Sequence, residues 1–154
     1  MPRRKQKHRT EIGYYHLEIT EWDWDYSLSV NVPPSEDTQF SEYRYLVIRG
    51  TLLRPRKIKP ETAEINLFPQ SLDIPRHQGE TRPRSVGSLD FHGGRLVGYL
   101  AMALDVLGPV LQMLIAGRYK YLLMDGEPMR DRKAVIRHYY FAAKHDEADY
   151  PDDE

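Results

Sequence analysis

The sequence predicts a mainly β protein. It reads as a single antiparallel β-sandwich of about eight strands, jelly-roll-like or partly closed into a barrel, with one short α-helix near residues 105–116. Three observations predict this class. Apolar and polar residues alternate through most of the chain, turn signals separate the alternating runs, and helical spacing occurs only once.

The first alternating run places Tyr15, Leu17 and Ile19 against His16, Glu18 and Thr20. From Trp22 the parity flips: Trp22, Trp24, Tyr26, Leu28, Val30 and Val32 are apolar, and Asp23, Asp25, Ser27, Ser29 and Asn31 are polar. Successive strand residues point to opposite faces, so the flip predicts a tight turn or a bulge between two strands. Its apolar row reads as core. The aromatic members become a carbohydrate-stacking platform only if the strand's end projects past the sheet. Pro33-Pro34 ends the second strand, and residues 35–41 form a polar loop.

A third strand spans 43–53, and its unbroken Leu46-Val47-Ile48 predicts burial on both faces. A fourth, 62–68, puts Ala63, Ile65 and Leu67 on one side. Residues 69–85, with Pro69, Pro75, Gly79 and Pro83, form a long loop, a feature that in compact domains is often functional. Gly93-Gly94 predicts a two-residue hairpin, because primed turns need positive backbone angles that glycine adopts freely. In that register His92 faces Arg95, Phe91 faces Leu96 and Leu89 faces Gly98.

Next, Leu111, Leu114 and Ile115 give helical spacing, with Pro109 in the first turn and Gly117 at the C-terminal cap. The helix is expected to plug the open end of a sheet. Two last strands, 118–124 and 133–142, are joined through Asp125-Gly126-Glu127-Pro128.

Composition narrows the function classes. The 154 residues include no cysteine, which excludes disulfides, thiolate zinc sites and a cysteine nucleophile. No apolar run approaches the roughly 20 residues of a membrane-spanning helix, and no secretory signal is visible. The expectation is a soluble, cytoplasmic protein without membrane contact or cofactor. Residues 1–9 carry five Lys/Arg and no acid, and residues 145–154 carry six acids and no Lys/Arg, leaving the remainder balanced. The domain reading is therefore a mobile basic tail (1–10), a β body (11–144) and a mobile acidic tail (145–154).

Candidate chemistry is sparse. Asp90 and His92 share a strand face at the spacing of a metal-ligand pair, the basis of a metal-assisted small-molecule enzyme. Asp-x-His on a solvent face is also ordinary, and Arg95 opposite His92 repels a cation. Ser88, Asp90 and His92 do not form a triad, because same-face neighbours on a strand lie nearly 7 Å apart. The basic loops 54–59 and 76–84 suggest nucleic acid. Against it stands the sequence pI of about 6.6, far below that of typical nucleic-acid-binding domains.

The cadence of the glycine hairpin, proline-started helix and final strand pair resembles that of small bacterial or phage sandwich proteins, and no motif names a family. The favoured reading is non-enzymatic: a protein-binding or assembly module, with a protein partner or a second copy of itself. Its expected contact surface is Arg54, Arg56, Lys57, Arg76, His77, Arg82 and Arg84, since arginine is enriched at interfaces.

Overall fold

A computed structural model describes residues 11–30, 40–72 and 83–152. The expected basic tail, Val32, and the loop residues Arg76, His77 and Arg82 lie outside them. The fold is mainly β with one short helix, as the alternation predicts. Its seven strands are β1 (Gly13–Val30), β2 (Phe40–Arg54), β3 (Thr62–Gln70), β4 (Gly87–His92), β5 (Arg95–Ala103), β6 (Tyr121–Gly126) and β7 (Lys133–Ala142). They form one ring in the order β1-β2-β3-β5-β4-β7-β6. The sheet is thus a closed barrel, not two stacked layers. Closure removes the open edges that a sandwich body must protect.

The strand count differs because the two runs expected before residue 33 are one strand. The parity flip is a bulge: the β1–β2 register shifts between Ile19 and Glu21, and the chain continues extended. β3 and β5 pair in parallel, whereas the prediction was antiparallel throughout. The β4–β5 hairpin follows its predicted register, with Gly93 and Gly94 at φ 58° and 76°.

Belts of side chains fill the barrel. One runs across register from Ile48 to Ile65, Gly98, Leu89 and Ala134. A Cβ at Gly98 would lie 2.6 Å from both the Ile65 and Leu89 methyl carbons, so glycine leaves the room those side chains occupy. A second belt contains Leu46, Leu67 and Leu100, all essentially unexposed. Leu46, Val47 and Ile48 are all buried, as their unbroken apolar run predicts.

After a 3-10 turn (Leu104–Val106), helix α1 (Leu107–Ile115) buries Leu107 and Leu114 in the core cluster at one barrel end. Gly117, at φ 67°, ends it by a Schellman closure. The Gly117 N–H donates to the Leu114 carbonyl, and the Arg118 N–H donates to the Met113 carbonyl, both at 3.0 Å. No helix among the described residues is long and apolar enough to cross a membrane.

Candidate interaction surface

β1 and β2 outrun the barrel. β6 pairs with β1 only over Gly13 to Glu18, and β3 pairs with β2 only from Leu46 onward. Residues 25–30 and 40–45 therefore pair with each other alone, as a two-stranded ribbon leaving the end that α1 covers. Glu18 meets the first residue of β6 at that end, and β1 continues past it.

The alternation of residues 22–30 persists along the ribbon, but nothing in the described chain covers its apolar face. Trp22 is half-buried against the core. Beyond it Trp24 is 42% exposed, Tyr26 51%, Leu28 56% and Val30 63%, with Phe40 opposite Val30 at 60%. The expectation that this row is core is corrected here: only its barrel-proximal part is. Tyr26 Oη donates to Glu42 Oε2 at 2.9 Å, and Arg44 lies 2.9 Å from the other Glu42 oxygen. The carboxylate acceptor holds the Tyr26 phenol above its ordinary pKa. On the barrel's outer surface Tyr45, Phe68 and Tyr99 form a row with ring centroids 6.0 and 6.1 Å apart.

Other site residues are scattered. Arg54, expected on an exposed surface, is only 5% exposed. Its guanidinium lies over the Tyr14 and Tyr150 rings, at 5.8 and 5.6 Å, and donates to the Pro151 carbonyl. Arg56 is exposed and ion-paired with Glu147; Lys57 and Arg84 are exposed. Asp90 is half-buried and His92 exposed, in register with Lys133 and Arg95 respectively. Among the described residues no three His, Asp or Glu side chains are grouped to hold a metal ion.

The C-terminal segment is docked in the structure as far as Asp152, where the sequence predicts a mobile tail. It crosses the outer face of β1 and β6 through a 3-10 turn (Glu147–Asp149) in which the Asp146 carboxylate accepts from the Ala148 N–H. His145 and His16 form a ring-to-ring hydrogen bond of 2.7 Å between Nε2 and Nδ1. Tyr150 stacks on His145, packs edge-on to His16 and Tyr14, and shares a 2.9 Å hydroxyl contact with Tyr140. His16 is 1% exposed although it points out of the barrel. Burial, with His145 and Arg54 beside it, lowers its pKa to about 4, partly offset by Glu147 and Asp125.

A cleft of about 390 Å³ lies where β1 begins and β2 ends, lined by Ile12, Arg54, Lys57, Ile58, Met129 and Pro151 among others. Arg54 is already engaged there by Pro151, so the cleft does not present a free buried cation. Comparison with protein-family models, with curated proteins and with solved structures returns no match.

Proposed function

We propose that this chain is a non-enzymatic protein-binding module whose contact element is the β1–β2 ribbon. One observation carries the reading: a row of five large apolar side chains stands exposed on a ribbon with unpaired outer edges among the described residues. Fully buried aromatic side chains contribute about 150–250 Å² each, so the half-exposed row presents roughly 500 Å² of apolar surface. The largest apolar patch on a single chain is about 300–600 Å² and is often functional, which supports the reading. Its unpaired N–H and C=O groups offer strand addition, which couples main-chain hydrogen bonds to side-chain recognition. Arg56 and Lys57 follow β2 at the barrel end opposite α1, and Arg84 precedes β4 at the α1 end, so these exposed basic residues form no single surface and the reading assigns them a subordinate role.

The test is affinity capture from host lysate with three baits: the wild type, Leu28→Asp/Phe40→Asp, and Lys57→Ala/Arg84→Ala. All replaced residues are exposed, so the fold should be retained, as checked by circular dichroism. Proteins enriched by the wild type should be lost with the ribbon variant and kept with the Lys57→Ala/Arg84→Ala variant. The same enriched set on the ribbon variant would overturn the assignment.

A further inference from the structure

Resting on the ribbon as contact element, we propose that the occupant of its β2 edge is β2 of a second copy of this chain, paired antiparallel about Tyr43. The edge is available at its centre, because residues 40–44 have β1 on one side and no ladder partner on the other among the described residues, while the Phe68 ring of β3 packs on Tyr45. Antiparallel pairing of a strand with its own copy places a two-fold axis through one residue, and opposed residues share a face. An axis at Tyr43 sets Glu42 of each copy against Arg44 of the other, giving two symmetric ion pairs. It also sets Ser41 against Tyr45, the last pair before β3 takes the edge at Leu46.

Neighbouring registers fail on charge. An axis at Glu42 opposes two carboxylates, and an axis at Arg44 opposes two guanidinium groups. Like charges directly opposite one another destabilise a strand pair. The outer edge of β1 offers no such selection, since its charges, Asp23 and Asp25, are all acidic.

The pairing also has a consequence for the ribbon tips. Residue 41 of one copy lies beside residue 45 of the other, so each tip approaches the α1-covered end of the opposite barrel. That is the end where Leu104, Val106 and Ile115 are exposed, the last at 72%. Both apolar rows then lie on one face of a four-stranded sheet beside that apolar rim. The self-pairing therefore engages both the ribbon's edge and its face.

Sedimentation of the purified full chain over a wide concentration range tests this. The wild type should pass from monomer to dimer mass. Glu42→Arg and Arg44→Glu, each turning two attractive pairs repulsive, should weaken dimerisation by about tenfold or more. An equal mixture of the two variants should recover dimer, since every opposed pair is again of opposite sign. The double variant Glu42→Arg/Arg44→Glu should recover it too. If a charge variant folds poorly, Glu42→Gln/Arg44→Gln should still dimerise more weakly than the wild type.

A wild type that stays monomeric while lysate capture still depends on Leu28 and Phe40 would overturn self-pairing and leave the ribbon reading standing. A dimer indifferent to the charge variants, or a mixture that fails to recover, would overturn the register and with it the proposal. A dimer indifferent also to Leu28→Asp would overturn both readings.

Discussion

Lowering the pH from about 7 to about 4.5 should destabilise the docked C-terminal segment, and His16 should account for most of the change. The His16 imidazole is buried between the barrel and residues 145–150, with His145 at 2.7 Å and the Arg54 guanidinium nearby. Burial is the largest cause of its lowered pKa, followed by those two basic neighbours. Glu147 and Asp125 act in the opposite direction, and the Tyr14 and Tyr150 rings complete its surroundings. The docked state therefore holds His16 neutral, whereas the released or unfolded state protonates it near its ordinary value of 6.5.

Between those values the unfolded state binds more protons, so the contribution is fully present above about pH 6.5 and is lost as pH falls toward 4. The difference amounts to about 3 kcal/mol over the full range. Chemical denaturation at stepped pH measures it. His16→Gln should remove most of the slope across this window while lowering stability at neutral pH. A wild-type slope unchanged by the substitution would show that His16 is not the group responsible.

Leu67→Ala should cost about 3 kcal/mol, whereas Leu28→Ala in the isolated monomer should cost less than about 0.5 kcal/mol. The two leucines sit on alternating strands of similar appearance, but their surroundings differ. Leu67 is fully buried between Leu46 and Leu100 inside a closed ring. A barrel cannot collapse around the missing atoms, so lost packing adds to lost burial. Leu28 is 56% exposed on the ribbon and has little burial to lose. Urea denaturation at low protein concentration compares them, with the slope against urea expected to stay constant. Equal losses at the two positions would place Leu28 in a core and remove the ribbon's exposed face.

The parts of the fold legible from the sequence were those governed by local rules. Gly93-Gly94 specifies its turn through backbone angles, and that turn sets the register of Phe91 with Leu96 and Leu89 with Gly98. Gly117 closes α1 for the same kind of local reason. Alternation from Trp22 to Val30 correctly marks a strand with one apolar face, but it carries no information about what covers that face. The face was therefore read as core where most of it is exposed.

Ring closure and the parallel β3–β5 pair depend on contacts between distant segments, which no local pattern encodes. The His16–His145 pair is the extreme case, 129 residues apart in the chain. His16 occupies a polar position in an alternating strand and reads as solvent-facing. The segment that buries it is acidic enough to read as a free tail. Arg54 differs similarly, since a basic run suggests exposure while its guanidinium lies over two tyrosine rings. The metal reading of Asp90 and His92 rests on their spacing alone, and their register neighbours are Lys133 and Arg95.

If the ribbon is where this protein touches others, site-specific photocrosslinking from the ribbon should capture what it touches. A photoreactive phenylalanine analogue replaces Tyr26 in one sample and Lys57 in another, both exposed positions. Each is irradiated in host lysate and as purified protein. Discrete higher-mass adducts are expected from position 26, matching a second copy in the purified sample, and little from position 57. Adducts from position 57 with none from position 26 would contradict it, and would return the contact surface to the basic turn that the sequence first suggested.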